Sequence, residues 1–318
     1  MDIPTEKTEL HPRNKHRARY DFAALTAVFP TLKSFVTANK YGNDSIDFAN
    51  PNAVKALNKA ILMTDYGIQY WDIPPQYLCP PIPSRAEYIH QIADILSNYK
   101  ADALPKGNKI RILDIGTGAN GIYPIIGHQA YDWQFVASDI DEKSIQSVEK
   151  IVAANPDLQG AITCRLQTST SAIFQNIIKP DEYFDCTLCN PPFHATLEEA
   201  IKGTQRKLRN LGNFDKTKKT KPVLNFGGQN TELWCEGGEI AFITNMITES
   251  AFFKTQCLWF STLVSKGDNL PKIYTLLTKN RIFETKTITL NIGNKISRLV
   301  FWTYLNQKEQ AERLHKHR

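Results

Sequence analysis

Apolar positions along this chain change spacing several times, and the changes outline alternating helices and strands. Between Asp21 and Lys40, Leu25, Val28, Phe29 and Leu32 recur at helical spacing. Pro51 to Tyr66 does the same, which predicts an N-terminal helical layer. From Trp71 to Pro83, Pro74, Pro75, Pro80, Pro81 and Pro83 fix φ and remove donors, so this stretch is expected to run extended over a surface. Ser84 then reads as an N-cap with Glu87 as its capping-box partner, opening a helix to about Tyr99 that buries Ile89, Ile92, Ala93 and Leu96. Strands are predicted over Lys109 to Ile115, Trp133 to Ser138, Ala161 to Leu166 and Tyr183 to Cys189, with a short helix after the first and another over Asp141 to Asn155. Farther on, Gly238 to Ile243 reads as a strand and Thr248 to Ser265 as an amphipathic helix. Lys272 to Thr278, Lys286 to Asn291 and Arg298 to Tyr304 read as closing strands, the last two an antiparallel hairpin turning at Gly293-Asn294. Repeated strand-helix units predict an α/β fold with a doubly wound, mostly parallel sheet and ligands at its carboxyl edge.

Two motifs fall at that edge. Lys109 to Ile115 runs into Gly116-Thr117-Gly118-Ala119-Asn120-Gly121, glycines spaced for a tight turn and close backbone approach to a ligand. Asp139, at the end of the next strand, is placed to hold the two hydroxyls of a ribose. This pair alone fits a dinucleotide as well as a nucleoside. Asp114 directly before the loop favours S-adenosylmethionine, because a carboxylate there suits the methionine ammonium and would repel a pyrophosphate. The second motif is Asn190-Pro191-Pro192-Phe193 at the end of Tyr183 to Cys189. Pro191 and Pro192 stiffen the backbone where an amide and a flat ring emerge. The Asn190 carboxamide oxygen and the Pro191 carbonyl can accept both N–H bonds of an exocyclic amine, and Phe193 can stack on its base. The plain alternative is a rigid proline turn with Phe193 in the core.

Charge is distributed unevenly. The net charge is +6, yet Lys202 to Lys221 carries eight basic residues against Asp215, and residues 11–20 hold Arg13, Lys15, Arg17 and Arg19 with no acid, leaving the rest of the chain at −5. Such a run is often only a solvated face. Beside an amine-binding turn, however, it fits a polyanion, with Arg13, Lys15, Arg17, Lys216, Lys218, Lys219 and Lys221 as phosphate contacts. No stretch approaches the roughly 20 apolar residues needed to span a bilayer, and the polar first twenty residues lack the apolar core of a secretory signal. A cytoplasmic protein is expected. The six cysteines sit mostly in apolar runs. Cys186 and Cys189 have metal-ligand spacing but point to opposite faces of a strand, and no second Cys pair or His cluster joins them, so no metal is expected.

Together these residues resemble the class I, S-adenosylmethionine-dependent amino-methyltransferases, and more narrowly the bacterial 23S rRNA adenine-N6 methyltransferases, relatives of the eukaryotic U6 small nuclear RNA adenine methyltransferase. The resemblance runs through Asp114 to Gly118, a loop shared with many enzymes, and Leu188 to His194, and its narrow markers are His11-Pro12-Arg13-Asn14-Lys15-His16, Tyr20-Asp21-Phe22 and Pro81 to His90. The resemblance implies a seven-stranded, Rossmann-like sheet behind an N-terminal helical layer. It divides the chain into an RNA-binding arm and layer over 1–83 and a methyltransferase domain over 84–318 with a basic loop at 202–230. It implies that Arg85 contacts the methionine carboxylate of the cofactor, that Thr168 and Thr170 meet its adenosine, and that Asn190 also borders it.

The implied activity is methylation of the N6 amine of one adenine, at position 1618 of 23S rRNA, free or in a ribosomal assembly intermediate. No obligate protein partner and no membrane are expected. Another structured RNA such as U6 is the alternative, and DNA adenine or protein glutamine a further one. The chain ends soon after its last strand without the extra C-terminal domain of the eukaryotic relatives, which favours ribosomal RNA. His194 is read as a neutral surface histidine, since this chemistry needs orientation more than a strong base. A nicotinamide-dependent oxidoreductase and a noncatalytic RNA-binding module are the competing classes.

Overall fold

The middle strands of the central sheet are buried on both faces. In the computed structural model, which describes residues 7–39, 41–75, 77–97, 104–196, 198–199, 234–293 and 295–317, a short antiparallel pair comes first: β1 (Val36–Ala38) and β2 (Asp44–Ile46). The large sheet then comprises β3 (Arg111–Ile115), β4 (Gln134–Asp139), β5 (Ile162–Leu166), β6 (Phe184–Cys189), β7 (Cys257–Val264), β8 (Glu284–Ile292) and β9 (Lys295–Thr303). Their order is β5-β4-β3-β6-β7-β9-β8, parallel except for β9, which runs antiparallel to both neighbours. The chain steps outward from β3 on one side and returns to pair β6 on the other. That reversal opens a crevice outside the carboxyl ends of β3 and β6, where α/β sheets bind ligands.

Helices cover both faces. On one, α1 (Phe22–Val28), α2 (Pro51–Tyr66), α3 (Ile82–Ser97) and α4 (Ile122–Tyr131) share a core with Ile112, Phe135, Cys186 and Leu188. The amphipathic α5 (Glu142–Ala153) adds Ile151 to that core. On the other, α6 (Gly238–Ser250) and α7 (Leu270–Lys279) pack with Leu113, Val136, Phe184 and Cys189. Cys186 and Cys189 therefore lie in separate cores on opposite faces, as their spacing requires. The terminal helix α8 (Gln307–His317) follows β9. Local signals explain several ends. Asn50 caps α2 by accepting from the Asn52 and Ala53 amides, Pro51 occupies its first turn, and Gly67 closes it in the left-handed region at φ 66°. Among the described residues no helix is long and apolar enough to cross a membrane.

Several predicted elements are corrected. Residues 238–250 are a helix and 257–264 a strand, the reverse of the expectation, and Lys272 to Thr278 lies in α7. The cause is that β7 is buried at every position, so its apolar run carries no period-2 signature. In α7, β-branched and aromatic residues mask a helix whose buried positions are only Ile273 and Leu277, one turn apart. Asp21 to Lys40 is not one helix: α1 stops before Pro30, a 3₁₀ turn covers Pro30–Phe35, and β1 follows.

Helix α3 starts at Ile82, so Ser84 lies inside it and donates to the Pro81 carbonyl instead of capping. Glu87 accepts from the His11 amide at 2.9 Å and from Asn14 Nδ2 at 3.1 Å, which makes it the anchor of the N-terminal arm. Among its described residues the proline-rich stretch carries no helix or strand before Ile82, although Pro83 belongs to α3. The β8–β9 hairpin forms as expected, pairing Ile292 with Lys295 across a turn with Gly293 at φ 58°; Asn294 lies outside the described residues, as does Tyr99.

Candidate active site

The glycine loop is pinned to its neighbouring strand. Gly116 and Gly118 adopt φ of 71° and 63°, a region that penalises any Cβ. A Cβ on Gly116 would meet nothing within 4 Å, so the backbone there borders open space. The Gly116 and Thr117 amides donate to the Ser138 carbonyl at 2.9 and 3.0 Å. The Gly118 amide donates to Asp139 Oδ2 at 2.9 Å, and Oδ1 accepts from the Asp141 amide at 2.9 Å. Burial raises the Asp139 carboxyl above its ordinary value, with Asp141 acting in the same direction against these N–H bonds.

One cavity brings the predicted residues together. Arg85, Gly116, Gly118, Asp139, Thr170, Asn190 and Pro192 all line it; Thr168 does not, its neighbours Gln167 and Thr170 taking that side. The cavity has two chemically different sides. Tyr123 lies near Arg85, and Asn190 Oδ1, beside the glycine loop, is buried with no hydrogen-bond partner. Arg85 is itself buried, its guanidinium 5.5 Å from the Tyr123 ring centre. Asp114, directly before the loop, is fully buried. Burial drives its carboxyl up to about 7; nearby Asp139 adds to the shift, and the Thr117 hydroxyl and Arg85 oppose it. The side formed by the ends of β4 and β5 and by α6 carries the apolar Ile140, Ala172, Ile173 and Phe242 beside the polar Gln167, Thr170 and Asn245. A zwitterionic amino acid joined through a ribose to a flat base matches this arrangement, so the residues present fit S-adenosylmethionine.

Asn190 leaves the carboxyl end of β6 directly beside the glycine loop. Pro191 is buried, whereas Phe193 is half-buried and packs one side against the core. His194 is half-buried too, not a surface residue, and its backbone forms a parallel bridge with Trp234, closed by the Cys235 amide donating to its carbonyl at 3.1 Å. The described residues on either side of 200–233 therefore pair with each other near Asn190. The basic residues Lys216, Lys218, Lys219 and Lys221 lie between these two points, outside the described residues.

The N-terminal basic residues are held within the fold. Arg13 donates through Nη2 to Asp94 at 2.5 Å and through Nε to the Tyr131 hydroxyl at 2.9 Å. Lys15 reaches the Asp65 carbonyl at 2.5 Å from an exposed position, and Arg17 is half-buried. Beneath them, burial and nearby cations lower His90 to about 3 and His16 to about 4, so both imidazoles stay neutral near pH 7.

Other contributors escape a reading of the sequence. Trp71 donates to the Asn120 carbonyl at 2.9 Å, Asn120 Nδ2 donates to the Leu78 carbonyl at 3.4 Å, and the Tyr77 hydroxyl donates to Asp141 Oδ2 at 2.6 Å. These bonds fasten the proline-rich stretch over the loop and bring Leu78 into the cavity. The two aromatic residues set among prolines are the signal that could have found them. Phe242 and Asn245, which also line the cavity, are hidden as long as their segment reads as strand and connection.

A family model described as RNA methyltransferase matches residues 5–306. The chain is 55% identical over 306 residues to the ribosomal RNA large subunit methyltransferase F of Flavobacterium johnsoniae, covering 96% of each. It is 51% identical over 323 residues to the protein of that name from Photobacterium profundum, covering 97% of this chain and 96% of the other. Among solved structures, it is similar to the hMettl16 catalytic domain in complex with the MAT2A 3′UTR hairpin 1, with a TM-score of 0.76 and 27% identity over 94% of this chain and 96% of that one. The N-terminal domain of human METTL16 in complex with SAH gives a TM-score of 0.73 and 26% identity over 93% and 99%. Sheet order, glycine loop and two-sided cavity define a class I methyltransferase, the α/β architecture that draws its methyl group from S-adenosylmethionine. Within that class, the chain belongs to the RNA methyltransferase family whose model spans residues 5–306.

Proposed function

We propose that this enzyme methylates the exocyclic N6 amine of one adenine in 23S rRNA, at position 1618, acting in the cytoplasm on free RNA or an assembly intermediate without an obligate protein partner. The observation that carries the reading is Asn190 Oδ1, a buried acceptor with no partner at the end of β6. Buried acceptors are normally satisfied, so this one is kept for a donor that arrives with the substrate. S-adenosylmethionine, when bound, supplies an electrophilic methyl group. Asn190 Oδ1 and the Pro191 carbonyl accept the two amine hydrogens, which frees the nitrogen lone pair from the ring and orients it. As positive charge develops on nitrogen, both oxygens stabilise it, and the proton leaves to water. Phe193 stacks on the base, which must be unstacked to enter. Arg85 and Asp114 hold the amino-acid end of the cofactor and Asp139 its ribose. In this reading residues 1–83 and the segment around 202–230 bind RNA, and the rest of 84–318 carries the chemistry.

The likeness to an enzyme crystallised with a 3′UTR hairpin favours a second reading, N6 methylation of an adenine in another structured RNA. The deciding experiment is methyl transfer to 23S rRNA from a strain lacking this activity, free and in assembly intermediates, with the modified nucleotide mapped. One labelled adenine, at position 1618, is expected. Label on a different base, or none, refutes the assignment.

A separate measurement tests the basic segment. Replacing Lys218, Lys219 and Lys221 with Ala is expected to flatten the dependence of log RNA affinity on log salt by about 0.7–0.9 for each phosphate no longer engaged. Single-turnover transfer at saturating RNA is expected to stay near the parent rate. Arg13 is less suited to this test, because its ties to Asp94 and Tyr131 make its removal a change in folding as well. An unaltered slope returns the lysines to ordinary solvated surface.

A further inference from the structure

One side of the cavity is walled by a stretch with no regular structure. Between β5 and β6, residues 167–183 form neither helix nor strand, yet Thr170, Ala172 and Ile173 line the cavity. A wall of this kind holds its shape only if its backbone groups are tied down, and the ties come from α6. Glu249 accepts from three consecutive amides, those of Ile173 at 2.8 Å, Phe174 at 2.9 Å and Gln175 at 2.7 Å. One turn earlier on the same helix, Asn245 Nδ2 donates to the Ser171 carbonyl at 2.8 Å. Within the stretch, Gln167 accepts from the Ser169 amide at 3.0 Å and donates to the Gln175 carbonyl at 2.8 Å. A carboxylate in the last turn of a helix works against the helix dipole. Its place at Glu249 is explained by the three amides it satisfies.

We infer that Glu249 and Asn245 are positioning residues for the nucleoside end of the cofactor pocket, setting the wall against which an adenine base lies and thereby the selection of an adenosine-bearing methyl donor. The inference rests on the reading of this cavity as the S-adenosylmethionine site. Its physical basis is preorganisation: a wall already ordered by α6 gives up little conformational freedom when a ligand arrives, whereas an untethered one loses that freedom on binding. The same helix begins just beyond Cys235, so it also adjoins the base of the segment that follows the catalytic turn.

The test is calorimetric titration of S-adenosylhomocysteine and of adenosine into the full chain, its Glu249→Gln and Asn245→Ala forms, and Asp139→Ala as a direct-contact control. Amide hydrogen exchange is followed in parallel. Glu249→Gln is expected to weaken both ligands by about tenfold, the scale set by charge-assisted hydrogen bonds. Adenosine falls by the same factor because it carries only the nucleoside end. Asn245→Ala is expected to weaken both by about threefold, the scale of one neutral bond. Amides of 167–178 exchange faster in both variants, while β3, β4 and β6 stay protected. KM for the donor rises, and kcat at saturating donor stays within about twofold. Faster exchange with unchanged affinity overturns the inference. Failure of the parent chain to bind S-adenosylhomocysteine overturns the cofactor reading instead. If Glu249→Gln does not fold, Glu249→Asp, which keeps the charge but shortens its reach to the three amides, decides instead, because Asn245 itself lines the cavity.

Discussion

Asn190→Ala is expected to lower methyl transfer by about 10²–10³, the scale found when one preorganised partner of developing charge is removed. S-adenosylhomocysteine affinity should stay close to the parent value. The expectation follows from what Oδ1 does in the free protein, which is nothing: it is buried without a partner. Removing it deletes an acceptor that costs stability, so the variant should melt at the parent temperature or slightly above, whereas removal of an ordinary buried hydrogen-bonding group is destabilising. A rate defect without a stability defect is the signature of a group retained for catalysis. Phe193→Ala should also slow turnover, through stacking of roughly 1–3 kcal/mol per base. Single-turnover kinetics, calorimetry and a melting curve on the same preparations test the claim. An Asn190→Ala chain that methylates RNA at the parent rate ends the proposed mechanism.

Cofactor affinity is expected to fall steeply below neutral pH if, as proposed, an ionised Asp114 receives the cationic amine. Its carboxyl is raised from 3.8 to about 7 by burial first and then by Asp139. Below pH 7 the free protein increasingly carries the neutral acid, and affinity should drop by up to about tenfold per pH unit, the limit for one coupled proton. The stability of the free protein moves in the opposite sense. Asp114 binds its proton more tightly folded than unfolded, so its contribution is fully present below pH 3.8 and is lost as pH rises towards 7. Ligand binding should therefore raise the melting temperature more at pH 7.5 than at pH 5.5. Asp114→Asn should weaken binding at pH 7.5 and flatten both dependences. Parallel affinity profiles for the parent and the Asn variant would show that some other group is being titrated.

The carboxyl-edge site is readable in the sequence because its parts are local. A glycine loop between β3 and α4, an acid ending β4 and a proline turn ending β6 each announce themselves within a few residues. What cannot be read depends on distant segments meeting. Glu87 looks like a capping residue from its neighbours alone, and only the fold shows His11 and Asn14 arriving from far away in sequence. Arg13 looks like a free cation, and Asp94 and Tyr131 engage it for the same reason. The exchange of helix and strand after Gly238 has a different cause. The central strand β7 is apolar throughout and α6 is rich in β-branched residues, so local preference and tertiary outcome point in opposite directions. That error hides Phe242, Asn245 and Glu249, and with them one wall of the pocket.

The bridge between His194 and Trp234 bears on how this enzyme can acquire new targets. The entropy of closing a loop grows only slowly with its length, and here the two ends already meet in the folded frame. The two residues that pair are separated by a long stretch of sequence, and the pairing sits beside the turn that carries Asn190. Under the proposed function, exchanging the sequence between them for that of a relative is expected to change which RNA is methylated while S-adenosylhomocysteine affinity stays near the parent value.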